Sequence, residues 1–185
     1  MIPRCTQPPA GAAAAVAAAC RAPLPRLETG RLVLRAPDMG DLPAFSRIHA
    51  DSFAIPGADP RQAWIEFNYY TAGWLLHGHG LWTIVRRDAD APLGFVLLGL
   101  EWEDAEPELG WMLLPEHRGA GYATEAARAA LDWGRGVLGE GRIVSYIDAG
   151  NAASQAVARR LGAATDGARP PHDPDCEIWR HGRAQ

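Results

Sequence analysis

No lysine occurs anywhere in the 185 residues, so every basic residue is an arginine. That absence excludes a phosphate-binding P-loop, which needs a lysine after its glycines. It also makes any single arginine a weak functional signal, because arginine here carries the whole basic complement. Cysteine is scarce too. Cys5, Cys20 and Cys176 lie far apart, with no Cys-x-x-Cys spacing or neighbouring histidine pair, so neither a disulfide framework nor a zinc site is indicated. A reducing, cytoplasmic setting fits. Long apolar runs are missing as well. The Ala-rich stretch from Gly11 to Cys20 has Val16 as its only strong hydrophobe, too little for a signal h-region or a membrane span of roughly 20 residues. Positive charge is not in excess, since 22 acidic against 18 basic residues give a net charge of -4. This balance speaks against nucleic-acid and anionic-membrane partners and for small or cationic ones.

With 48% hydrophobic residues, the chain suffices for one domain with a real core. Residues 1–26 read as an Ala- and Pro-rich extension, disordered or loosely helical, and residues 27–185 as the folded domain. Arg31-Leu-Val-Leu-Arg-Ala36 alternates like a strand, and Pro37-Asp38 stops it and offers a helix cap. Helices are expected from about Asp41 to Ala50 and from Pro60 to His77. Two β-rich runs, Leu81 to Arg87 and Leu93 to Trp102, flank a turn-like Asp88-Ala-Asp-Ala-Pro92, and Glu108 to Leu114 follows as a third. Links this short require antiparallel pairing.

From Ala123 the period changes. Ala123, Ala127, Ala130, Leu131, Gly134, Val137 and Leu138 form one stripe of an amphipathic helix. A strand from Ile143 to Ile147, a helix from about Asn151 to Leu161 and a short strand near Cys176 to Arg180 complete the chain. The expected class is α/β (α+β), with a mixed, mostly antiparallel central sheet and flanking helices.

The loop Arg118-Gly119-Ala120-Gly121-Tyr122-Ala123 joins a strand to that amphipathic helix. Unpaired N–H groups at a positive helix end attract anions, and glycines let them converge on a diphosphate. Three readings compete. The glycines could serve an ordinary turn, or the loop could be a dinucleotide fingerprint with Thr124 at the third glycine position and Asp148 at the end of the next strand. The meander upstream argues against the second, because that fingerprint follows the first strand of a parallel βα series. The third reading is a coenzyme A loop.

Arg118-x-x-Gly121-x-Ala123 resembles the Arg/Gln-x-x-Gly-x-Gly/Ala signature of the GNAT acetyltransferases. The stretch Pro107 to Ala126 is similar to the subgroup containing ribosomal-protein N-terminal acetyltransferases, and so is the order of Leu27-Glu-Thr-Gly-Arg-Leu-Val-Leu-Arg35, Gly80-Leu-Trp-Thr-Ile84 and Gly150-Asn151-x-x-Ser154 with Leu161-Gly162. The resemblance spans about Leu27 to Arg180. It implies that the strands at Glu108–Leu114 and Ile143–Ile147 splay around the pantetheine arm of acetyl-CoA. Backbone N–H groups of Trp111, Met112, Leu113 and Leu114 would meet the pantetheine and the thioester carbonyl. Those of Arg118, Gly119, Ala120, Gly121, Tyr122 and Ala123 would meet the diphosphate, with the Thr124 hydroxyl in the first turn and Asn151 and Ser154 on the far side.

An amine would then attack the thioester directly, without metal or covalent enzyme intermediate. Glu108 is the leading base, with Glu101 and Glu103 behind it. An α-amine near pKa 8 lies within about one unit of neutrality, roughly 1.4 kcal/mol, whereas a lysine amine near 10.4 needs roughly 4 kcal/mol. Many relatives place a tyrosine seven residues after the asparagine to protonate the thiolate. Here Ala158 stands there, which moves the acid role to Ser154. The acceptor is expected to be a small-molecule amine or a protein N-terminus, and the enzyme a monomer or homodimer. Five carboxylates between Glu101 and Glu108 would draw a cation, and Trp64, Tyr69, Tyr70, Trp74 and Trp102 offer pocket walls. His77 and His79 read as structural.

Overall fold

A computed structural model describes residues 3–52, 59–139, 141, 143–171 and 173–182. Seven strands form one sheet in chain order: β1 (Leu27–Glu28), β2 (Leu32–Arg35), β3 (Leu81–Arg86), β4 (Pro92–Gly99), β5 (Glu108–Leu113), β6 (Val144–Asp148) and β7 (Cys176–Arg180). All neighbours pair antiparallel except β5 and β6, which are parallel. The helices are α1 (Gly11–Arg21), α2 (Leu42–Ser52), α3 (Pro60–Leu76), α4 (Tyr122–Leu138) and α5 (Ala152–Arg160). The parallel pair is joined through α4, as a parallel crossover requires.

Burial on both faces explains why β3 and β4 are nearly continuous apolar runs. On one face the stripe of α4 (Ala126, Ala127, Ala130, Leu131) packs with Leu34, Trp82, Val96 and Leu98. On the other, Phe45 and Ile48 of α2 and Phe67 of α3 meet Leu81, Phe95 and Leu97. Gly94 fixes how close β4 and β5 come: a Cβ there would sit 2.2 Å from the Met112 carbonyl oxygen.

Three expectations need correction. The helix cap falls on Asp41 rather than Asp38, because the Asp41 carbonyl receives the first helical bonds while its buried carboxylate ties Arg35 and Thr83 together. β4 ends at Gly99, and Trp102 is 97% exposed. The reason is a tight turn, in which the Glu101 N–H donates to Asp104 and the Asp104 N–H to the Glu101 carbonyl. The stretch Gly11–Arg21, expected disordered or loosely helical, is a regular helix with no buried residue. Nearby, the Trp64 and Trp82 indoles donate to the Cys5 and Pro25 carbonyls, and Leu24 packs on the core. Among the described residues no helix is long and apolar enough to cross a membrane, and no cluster of His, Cys, Asp and Glu could hold a metal.

Candidate active site

β5 and β6 share one registered pair, Glu108 with Val144, and then diverge. The cleft they open leads from the β5–α4 loop to the start of α5. One cavity of about 1190 Å³ runs along Trp111, Leu113, the loop from Arg118 to Thr124 and α5. A second, of about 420 Å³, lies toward Glu108, Tyr70, Glu66, Tyr146 and Asp148. They meet at Ile48, Trp111, Met112, Asn151 and Ser154, which line both.

The loop adopts the geometry that its glycines permit. Gly119 and Gly121 have φ of 79° and 80°, a region costly to other L-residues. The first bond closing α4 runs from the Glu125 N–H to the Gly121 carbonyl. The N–H groups of Tyr122, Ala123 and Thr124 are therefore left without helical partners at the positive end of a 17-residue helix. Arg31 anchors the loop from outside. Its guanidinium donates to the Ala120 carbonyl (3.0 Å) and to Glu125 (2.7 Å), and it lies over the Tyr122 ring. Because C=O and N–H point oppositely across a trans peptide, holding the Ala120 oxygen outward turns the Gly121 N–H the other way. Thr29 also donates to Glu125 (2.5 Å), and together these contacts hold the Glu125 carboxyl below its ordinary range against the opposing effect of burial. The Arg118 N–H, expected at the diphosphate, donates instead to the Pro115 carbonyl at 3.2 Å, closing the short turn before the loop. Its guanidinium is engaged by Asp51 at 2.6 Å and by the Leu113 carbonyl at 3.2 Å, joining the loop to the end of α2.

Along β5 the antiparallel register with β4 divides the amides. Leu114 N–H donates to the Leu93 carbonyl (3.0 Å), and Met112, paired with Phe95, shares that phase. Only Trp111 and Leu113 turn their N–H groups toward the cleft. Leu114, expected at the cofactor, instead packs among Phe45, Phe95 and Leu97. Asn151 caps α5, its Oδ1 accepting from the Ser154 N–H at 3.0 Å. Ser154 is the one hydroxyl on α5. Ala158 is fully buried against Ile147 and Trp179.

Glu108 stands at the vertex of the splay, on the smaller cavity. Burial, then the charges of Glu101 and Asp104, push its carboxyl up to about 8, and the Tyr146 N–H offsets part of this. Tyr70 donates to Glu101 (2.6 Å), so Glu101 stands behind the cavity wall rather than in it, and Glu103 is exposed. Of the five aromatics, only Tyr70 lines the cavity. Trp74 is core and donates to the Leu81 carbonyl, and Tyr69 donates outward to that of Leu100. His79 is buried on the Leu98 carbonyl, with His77 stacked on it. Sequence reasoning missed Asp51, Arg31, Tyr146 and Glu66. Each reaches the site from an element whose own pattern signals only packing or solvation.

Residues 31–164 match the acetyltransferase (GNAT) domain. The chain belongs to the GNAT acetyltransferase family. An acetyltransferase from Agrobacterium tumefaciens, solved by crystallography, is 34% identical with a TM-score of 0.78, covering 86% of this chain and 95% of its own. A Vibrio cholerae structure provisionally named a ribosomal-protein-serine acetyltransferase shares the fold at 19% identity and TM-score 0.65, covering 85% of this chain and 97% of its own. Uncharacterized protein YkkB of Bacillus subtilis (strain 168) is 47% identical over 55 residues, a match that spans 30% of this chain and 32% of YkkB.

Proposed function

We propose that this GNAT protein transfers an acetyl group from acetyl-CoA to a primary amine by direct attack in a ternary complex. The observation that carries this reading is the meeting of two cavities at Trp111, Asn151 and Ser154, with an anion-receptive loop at the far end of one and Glu108 in the other. The fit to coenzyme A rests on the glycine loop. Nothing lies within 4 Å of a Cβ built on Gly119, so a phosphate can approach the backbone there.

Bound acetyl-CoA supplies an activated acetyl thioester. Glu108 takes the proton of the incoming ammonium; with a pKa near 8 it is matched to an amine near pKa 8. The Trp111 and Leu113 N–H groups receive the charge that grows on the carbonyl oxygen. The nitrogen sheds its second proton as the amide forms, and Ser154 relays it, taking that proton as its hydroxyl protonates the departing sulfur, which with a thiol pKa near 8.5 needs little help. The acceptor is a small-molecule amine or a protein N-terminus. We take residues 27–185 as the transferase unit and 1–26 as an extension, acting in the cytoplasm, to which the free cysteines are suited.

Release of free CoA from acetyl-CoA across an amine panel, read by thiol detection, tests the proposal. Amine-dependent turnover supports it. Measurable acetyl-CoA binding with no turnover on any amine would instead indicate a binding module, and tighter binding of a longer acyl-CoA would move the donor assignment.

A further inference from the structure

The parallel ladder between β5 and β6 stops after one step, and of the two bonds that the next step would make, both groups of the first have other partners. With Glu108 opposite Val144, the Val144 N–H donates to the Pro107 carbonyl at 3.0 Å. In a continuing parallel ladder, the Tyr146 N–H would donate to the Leu109 carbonyl and the Trp111 N–H to the Tyr146 carbonyl. Instead the Leu109 carbonyl accepts from the Ser145 hydroxyl at 2.6 Å, and the Tyr146 N–H is directed at the Glu108 carboxyl. Buried amide groups left unpaired would cost about 1–3 kcal/mol each, enough to pull the strands together. These substitutes remove the pull of the first of those two bonds.

Ser145 is itself held. It is 2% exposed, and its oxygen lies 2.9 Å from Nε2 of His181, which is 1% exposed. Since the hydroxyl proton points to Leu109, the His181 Nε2–H is the donor in that contact and Nδ1 carries no proton. Burial, and then Arg135 and Arg128, lower the His181 pKa to about 4, which keeps the ring in this neutral form near neutrality. The residue that follows β7 thereby fixes the β6 hydroxyl that occupies the β5 carbonyl.

We propose that Ser145, oriented by His181, is a positioning residue that keeps β5 and β6 apart and so leaves the Trp111 N–H open to the cleft. Its consequence for cofactor affinity rests on the acetyl-CoA reading; its effect on the strands does not.

Amide hydrogen exchange at Trp111 in the free protein tests it, with CoA calorimetry alongside. In Ser145→Ala the ladder closes, and Trp111 exchange slows about fivefold, the net weight of one amide hydrogen bond. Ser145→Thr keeps the hydroxyl and exchanges as wild type does. Ser145→Cys, near-isosteric and a weak donor, follows Ala and serves if the alanine variant does not fold. Unchanged Trp111 exchange in folded Ser145→Ala or Ser145→Cys overturns the proposal. CoA binds wild type and binds Ser145→Ala at least about tenfold more weakly. Failure of wild type to bind CoA sinks the cofactor reading and leaves the exchange result to decide the role of Ser145.

Discussion

Glu108 owes its high pKa to a conflict between place and charge. The carboxyl is partly buried at the end of a strand, and the nearby acidic turn of Glu101 and Asp104 raises it further. A base works deprotonated, so activity should rise with pH along a limb centred near 8 and level off above it. Glu108→Gln should lower kcat by about 10²–10⁴-fold and abolish that limb, as steady-state rates from pH 6 upward would record. Arg31 makes a different prediction. Arg31→Ala frees the Ala120 carbonyl and leaves the Glu125 charge unbalanced beside the loop, so the KM for acetyl-CoA should rise about tenfold while that for the amine holds. Removing the charge as well, in Arg31→Ala with Glu125→Gln, should recover part of the loss, because residues in contact do not act additively.

At the level of elements, β4 and β5 are set by Gly94. In Gly94→Ala the new methyl meets backbone at Met112 and Leu113, atoms that cannot swing aside. Destabilisation of about 1–3 kcal/mol by chemical denaturation is expected, together with weaker CoA binding, since Leu113 is the residue opposite. Asn151→Ala removes the cap of α5 at a cost of about 1 kcal/mol. The strand, glycine loop and amphipathic helix around Arg118–Ala123 were legible in the sequence because three independent patterns coincide there: an apolar run, φ-permissive residues and a change of period. Ser145 was not legible. A single serine in a β-branched run has no periodic signature, and its role appears only once β5 lies alongside. Arg31 and Glu125 likewise pair across 94 positions. The assignment of the aromatics failed for a related reason, since helical spacing reveals that Trp74 faces inward but not which face of the sheet it meets.

For the whole molecule, the Glu108 carboxyl links stability to pH. Its folded pKa of about 8 lies above the ordinary 4.5, so between these values the unfolded chain releases a proton that the folded chain keeps. Folding thus weakens as pH rises through this window, with a ceiling of about 5 kcal/mol reduced by the water that reaches the cleft. Glu108→Gln should gain on wild type in melting temperature from pH 4.5 to pH 8. A constant difference across that range would contradict the carboxyl's environment as described. The tryptophans divide by location in a way that makes the protein its own optical probe. Trp74, Trp82 and Trp133 pack edge to face in the core, with centroids 4.5–5.5 Å apart. Trp111 borders both cavities. Excitonic coupling among the three clustered indoles gives a near-ultraviolet circular dichroism signal that follows the core on the α4 face. The change in emission that ligand binding produces should be lost in Trp111→Phe while the change on unfolding persists, so that one substitution separates the two signals.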